Sequence, residues 1–325
     1  MNADAVTPLV EQLRGQLIPA VPVPFDGRGI NADAQRRYAH WMAGQPVGGA
    51  AVWVHTGRGL FLTAGERAEV LETWRDEAPD LPIICGVGVP RGEDLPADPR
   101  ARTDRTTQLT VQMAEAARDG GAAAVMVHPP EPLAALPDAD SRVVELHRAV
   151  AAAGIPVIAF HLYKAASGLP YTPDLVERLL QVDGVIGIKL ATLDSVMDYQ
   201  ELSDVVLGSG SLLITGEDRF LGYSLMMNAE AALVGLGAAC TDLTAGLLAA
   251  WFARRHPEFI ALSAQVDEFA RVTFTQPMEG YVQRMLWALE ADGVIPEGAR
   301  DPFGPELPAG EQEWVRDAVG AMRET

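Results

Sequence analysis

Lys164 and Lys189 are the only lysines among 25 basic residues; every other basic residue is arginine. A guanidinium stays protonated, whereas a desolvated amine can lose its proton and attack a carbonyl. Lys189 follows the apolar run Val185-Ile186-Gly187-Ile188, where an ammonium is costly unless paired or neutralised. Burial of that kind lowers a lysine pKa and yields a nucleophile. Residue type and position leave two readings on equal terms: an amine that forms a Schiff base, and a snorkelling lysine paired with Asp194 or Glu217.

The segments that must position this lysine are short apolar runs alternating with amphipathic stretches. The runs at 17–23, 50–54, 82–87, 122–127, 156–160, 185–188, 212–214 and 232–234 are rich in Val, Ile and Ala, as strands buried on both faces are. Helical periodicity falls at 32–43, 63–77, 106–118, 141–152, 172–180 and 218–228. Thr63 and Thr172 have N-cap character, with Glu66 in capping-box spacing, and Gly44, Gly120 and Gly154 sit where C-terminal caps belong. Eight strand-helix alternations predict an α/β fold, a (β/α)8 TIM barrel, over residues 1–255, with 1–14 as an N-terminal extension. A C-terminal helical extension over 256–325 follows in the same unit: helix over 261–289, a Pro/Gly-rich connector over 295–308 and a last helix over 310–323. An open dinucleotide-binding sheet is disfavoured, because Gly86-Val87-Gly88 lacks a third glycine and leads into the polar loop 91–102.

In such a barrel, chemistry sits at the C-terminal ends of the strands. His55, Thr56 and Gly57 follow the second strand, His128 the fourth, and His161, Tyr163 and Lys164 the fifth; Lys189 ends the sixth, and Gly216, Glu217 and Asp218 follow the seventh. Three of the six histidines and both lysines thus fall at one rim.

A net charge of -19 argues against nucleic acid and anionic membrane surfaces as partners. No apolar run reaches the length of a membrane span, residues 1–15 are too polar and acidic for a signal peptide, and a cytoplasmic protein is expected. Cys85 and Cys240 sit in apolar stretches and read as buried small hydrophobes.

The segment Gly187-Ile188-Lys189-Leu190-Ala191-Thr192 resembles the strand-six lysine motif of the dihydrodipicolinate synthase and N-acetylneuraminate lyase superfamily. Pro22-Val23-Pro24-Phe25, Val54-His55-Thr56-Gly57-Arg58 with Leu62-Thr63 and Glu66-Arg67, Gly86-Val87-Gly88, Gly216-Glu217-Asp218 and Gly235-Leu236-Gly237 resemble its other strand ends, in matching order from about Gly15 onward. The resemblance implies a lyase with no cofactor other than its own lysine. Lys189 would form a Schiff base with a 2-oxo acid such as pyruvate or a 2-keto-3-deoxy sugar acid, for aldol cleavage, condensation or dehydration. Thr56 and Gly57 would hold the substrate carboxylate, with Gly216 and Glu217 completing the binding surface and Lys164 the nearest cation for a second acid group. It further implies a homo-oligomer, dimer or tetramer, acting on a small-molecule 2-oxo acid with an aldehyde as second substrate.

The departures from the family pattern are specific. Phe160 stands where the family has a proton-shuttling tyrosine, so Tyr163, His161 or His55 is expected to move protons. His55 and Arg58 replace a Thr and a Glu of the substrate loop, and His128-Pro129-Pro130-Glu131 replaces a tyrosine-bearing loop. Two other readings remain. In one, His55, His128 and His161 with Glu217 or Asp218 hold a divalent metal; in the other, the barrel is a degenerate ligand-binding scaffold.

Overall fold

The computed structural model describes residues 3–27, 29–164 and 169–324. Eight parallel strands form the inner wall: β1 Leu17–Pro19, β2 Ala50–Val52, β3 Ile83–Val87, β4 Ala124–Val127, β5 Val157–Leu162, β6 Val185–Ala191, β7 Leu212–Thr215 and β8 Ala231–Val234. Each pairs with its neighbour in chain order from β2 to β8, and β8 pairs with β1 through Leu17↔Ala232. A parallel bridge, Ala20↔Ala51, with Val21 N–H donating to the Ala51 carbonyl at 3.1 Å, brings the ring to near closure. The expected barrel is thus the observed one.

Helix α1, Ala3–Leu13, precedes β1 and sends Leu9 and Leu13 into the cluster that fills the barrel interior. The outer layer comprises α2 Ala32–Ala43, α3 Ala64–Glu77, α4 Pro99–Asp119, α5 Ala139–Ala152, α6 Pro173–Leu180, α7 Val196–Ser209, the short α8 Leu221–Met226 and α9 Thr241–Phe252. Thr63 caps α3 in a reciprocal box with Glu66, and Thr172 caps α6 by accepting from the Leu175 N–H. Two of the outer helices differ most from expectation. α4 begins within the polar loop, because Asp98 accepts from the Ala101 N–H and Pro99 needs no donor in the first turn. The helix expected at 218–228 shortens to α8, because Asp218 is drawn inward to accept from the Leu236 N–H. Among the described residues no helix is long and apolar enough to cross a membrane.

The C-terminal extension departs most. In place of one helix over 261–289 there are two, α10 His256–Thr273 and α11 Tyr281–Ala291, and 274–280 crosses between them. Arg284 on α11, fully buried, holds this crossing: its guanidinium donates to the carbonyls of Thr275 (2.8 Å), Pro277 (3.2 Å) and Gln276 (3.3 Å) and pairs with Glu311 (2.8 Å) at the start of the last helix, α12 Glu311–Arg323.

Strand β6 carries the irregularity that matters most for the site. Val157 on β5 pairs with Val185, but the next residue, Ile158, pairs with Gly187, so Ile186 is an extra residue on β6. Ile186 packs in the barrel interior, whereas Ile188 and Leu190 pack against the outer helices. Strand side chains alternate, so a bulge exchanges the two faces beyond it and turns Lys189 and Ala191 inward. Gly187 permits the close approach to β7: a Cβ there would stand 2.3 Å from the Leu212 carbonyl oxygen.

Candidate active site

Lys189 lies within β6 beside Phe160 of β5 and does not end the strand, which runs two residues further to Ala191. Its Nζ is 4.4 Å from the Phe160 ring centroid, and the residue is only 6% exposed. Burial brings its pKa down to about 8, against the opposing charges of Asp218 and Glu217. A neutral amine is therefore within reach near physiological pH. The stem needs the glycine beside it, since a Cβ on Gly216 would stand 2.4 Å from Lys189 Cε and 2.9 Å from Ala191 Cβ. Gly216→Ala is expected to displace the amine and lower turnover about 10²-fold while the barrel still folds. Steady-state rates beside a thermal melt check this, and wild-type turnover in a folded variant would show that the stem has room to spare.

The amine faces a narrow cavity of about 30 Å³ walled by Thr56, Phe160, Tyr163, Gly216, Asp218 and Tyr281, among others. His55 lines it and also lines two wider cavities nearer solvent, of about 450 and 590 Å³. Arg91 borders both wider cavities, its guanidinium 5.8 Å from the Phe61 ring centroid and paired with Glu131 at 3.2 Å. Phe303 stacks on Phe61 at 5.0 Å, so one side of the mouth is aromatic.

Four of the expected residues meet at the lysine cavity besides Lys189 itself: His55, Thr56, Tyr163 and Gly216. Gly57 lies just outside, where a Cβ would stand 3.0 Å from the Val21 carbonyl oxygen, so its lack of a side chain serves the turn at the end of β2. Glu217 is turned away from the cavity: it is fully buried and accepts from Thr192 N–H and Oγ1 (3.0 Å) and from Leu193 N–H (2.9 Å), fixing the loop after β6. Burial raises its pKa to about 7. Asp218 occupies the wall where Glu217 was expected, and burial raises its pKa to about 6 against the Leu236 and Gly235 N–H groups and the Lys189 charge. Lys164 is exposed and borders none of the three cavities.

His161 also departs from expectation. Phe160 and Leu162 face the interior, so His161 between them points outward, where its ring meets Tyr171 at 5.8 Å between centroids. Burial lowers its pKa to about 4. His128 is buried beside Phe160, and burial lowers its pKa to about 3. The three rim histidines do not converge, and among the described residues no group of three His, Cys, Asp or Glu is placed to hold a metal ion.

The largest addition comes from the crossing at 274–280. Phe274, Met278 and Tyr281 wall the lysine cavity. Glu279 accepts from His55 Nε2 (3.0 Å to each oxygen), from Arg58 (2.8 Å) and from Tyr163 Oη (3.3 Å). Burial works to raise its pKa, but the hydrogen bonds and charges of His55 and Arg58 overcome it, holding the carboxyl well below the usual range. Arg58 is itself buried, in backbone with φ +52, and spans Glu279 and Asp301. The Thr56 and Tyr281 hydroxyls are 2.9 Å apart. The sequence held one sign of this crossing, Pro277, which cannot sit inside the helix that periodicity suggests.

Fold and site together define a near-closed (β/α)8 barrel with a desolvated lysine on its sixth strand, and the chain belongs to the Dihydrodipicolinate synthetase family, whose sequence profile matches residues 13–320. It is 22% identical over 295 residues to the 4-hydroxy-tetrahydrodipicolinate synthase of Saccharophagus degradans, covering 90% of this chain and 93% of that one. It is 29% identical over 188 residues to a Streptomyces coelicolor protein named probable 5-dehydro-4-deoxyglucarate dehydratase 2, covering 57% of this chain and 48% of the relative. In three dimensions it is similar to the sialic acid aldolase of Ruminococcus gnavus, with a TM-score of 0.80 at 18% identity, over 96% of this chain and 98% of that one. The names given to these relatives are those of lyases, and the chain is an enzyme of that aldolase and dehydratase class.

Proposed function

We propose that the chain is a Schiff-base lyase in which Lys189 condenses with the ketone of a 2-oxo acid, so that the iminium draws electrons from the adjacent carbons for aldol cleavage, condensation or loss of water. The observation that carries this is the placement of Lys189. Its amine is buried on an apolar face at the floor of a cavity, and the nearby carboxylates act on it as charges, not as hydrogen-bond partners. A structural lysine would need such a partner. The Thr56 and Gly57 N–H groups, in the turn that follows β2, are suited to receive the substrate carboxylate, which leaves the Thr56 hydroxyl with Tyr281.

The inner cavity fits the reacting end of a small acid, and the wider cavities leave room for a chain longer than pyruvate. Arg91, shared between those cavities, is the cation placed to meet a distal anionic or hydroxylated end, in the position of interest that Lys164 does not occupy. A longer 2-keto-3-deoxy sugar acid therefore fits better than pyruvate alone. The proposal includes a homo-oligomer, for which the exposed Met197, Ile260 and Trp314 offer apolar surface, and a cytoplasmic setting, which suits two buried unpaired cysteines.

The test is trapping. Incubation with pyruvate and sodium borohydride is expected to add one reduced pyruvate unit to the intact mass, on Lys189 and not in Lys189→Ala. If pyruvate gives none, 2-keto-3-deoxygluconate is the second probe. No adduct with either acid removes the imine reading. Native mass spectrometry of the same samples reads the assembly state, and a monomer removes the oligomer from the proposal.

A further inference from the structure

We infer that Tyr281, working through the Thr56 hydroxyl, is the proton-transfer group for imine chemistry at Lys189, a task supplied from the C-terminal extension instead of from β5. The inference rests on the 2-oxo acid reading above. Its basis is a hydroxyl pair, Thr56 Oγ1 and Tyr281 Oη at 2.9 Å, in the wall of the cavity that Lys189 floors. The pair is built in place. Tyr281 is 7% exposed, stacked between Phe274 (4.6 Å, 24°) and His55 (6.2 Å, 15°), so its ring cannot swing. Gly235 leaves the room: a Cβ there would stand 3.1 Å from Tyr281 Cε2 and 3.3 Å from Thr56 Oγ1.

The other candidates are otherwise engaged. Phe160, under the amine, has no proton to give. His161 lies on the outer face of β5, and Glu279 holds both the Tyr163 hydroxyl at 3.3 Å and His55 Nε2 at 3.0 Å. Burial and the neighbouring Glu279 charge raise the Tyr281 pKa, so the resting group is a phenol, ready to donate.

The steps balance within the site. The Lys189 nitrogen bonds to the ketone carbon, and the carbonyl π pair moves to oxygen. That oxygen takes a proton from Thr56, which takes one from Tyr281, and the tyrosinate recovers a proton from the new ammonium. A second donation along the same path lets the hydroxyl depart as water with its bonding pair, while the nitrogen lone pair forms the iminium. The tyrosinate left behind then receives, through Thr56, a proton from the carbon next to the iminium. The C–H pair becomes the C=C bond of an enamine, the C=N pair returns to nitrogen, and Tyr281 is a phenol again.

Pyruvate serves as probe without knowledge of the natural substrate, because enamine formation exchanges its methyl protons. Deuteration in D2O, followed by proton NMR, is measured beside borohydride trapping for wild type, Tyr281→Phe, Thr56→Val and Thr56→Ser. Tyr281→Phe and Thr56→Val are expected to slow deuteration about 10²-fold or more, Thr56→Ser to stay within about threefold of wild type, and all four to give the Lys189 adduct on long incubation. Deuteration by Tyr281→Phe within about threefold of wild type overturns the inference while the adduct keeps the imine reading intact. If Tyr281→Phe melts at the assay temperature, the contrast between Thr56→Val and Thr56→Ser decides, and equal loss in both counts against the hydroxyl path. No adduct in wild type removes the imine reading and the Tyr281 role together.

Discussion

Replacing Lys189 by methionine is expected to lower turnover by about 10³-fold or more, the scale on which deletion of a covalent nucleophile is felt, and at the same time to make the protein more stable. The two effects have one cause. A lysine whose pKa falls from about 10.5 unfolded to about 8 folded costs on the order of 3 kcal/mol at neutral pH. The sign follows from proton counting. Between pH 8 and 10.5 the unfolded chain binds the proton that the folded chain has released, so stability rises with pH across that window; below it the full penalty applies. The gain from Lys189→Met should therefore be largest below pH 8 and shrink toward pH 10.5. The same pKa sets an acid limb in kcat/KM, with activity rising as pH passes through about 8. Lys189→Arg separates charge from nucleophile: it keeps the cation and should be as inactive as methionine. Denaturant titrations at pH 7 and 10, with rates on whichever 2-oxo acid is trapped, check this. Retained turnover in either variant would falsify a covalent role.

The second large effect is expected at Arg58. Its buried guanidinium joins Glu279 to Asp301, a carboxylate with only 1% of its side chain exposed. Arg58→Met leaves that charge buried without its partner, and breaking a buried pair by removing one member costs about 3–5 kcal/mol. Activity should fall as well, because Glu279 then loses the anchor that sets it against His55 and Tyr163. Glu279 adds a pH signature. Its folded pKa is depressed, so its contribution is present above the unfolded value of about 4.3 and lost as pH falls further. Wild-type and variant stabilities should therefore draw together in acid. The double variant Arg58→Met with Asp301→Leu removes both charges and should recover much of the loss. Equal stability of wild type and single variant, measured by denaturant midpoint, would mean that the pair contributes nothing.

These expectations show which parts of the site a sequence exposes. The strands were legible because each is a short apolar run between amphipathic stretches, and Lys189 because it is one of only two lysines, in apolar surroundings. What such runs hide is which side chain faces which way. In a strand buried on both faces, inward and outward residues are equally apolar. So which of Phe160 and His161 faces the cavity could not be read, and the bulge at Ile186 left no mark. Glu217 and Asp218 posed the same problem over a single residue, and it was Asp218 that turned to the lysine. The partners of Arg58 lie more than two hundred residues away, and no local pattern joins them. The crossing that brings Glu279 and Tyr281 into the site was obscured by helical periodicity on both sides of it, although Pro277 marked the break.

The bulge on β6 makes the location of the proposed nucleophile a matter of arithmetic. With Ile186 as the odd residue, the side chains that follow exchange places, and an amine that would otherwise have pointed at the helices points at the cavity. The chemistry proposed for Lys189 therefore depends on whether the number of residues before it is odd or even, as well as on their identities. Substitution along β6 can be gradual, but insertion or deletion there is all or none, and it would carry the lysine across the wall of the barrel in one genetic event. A lineage of such barrels could gain or lose an inward-facing lysine at this position without changing a single side chain of the site.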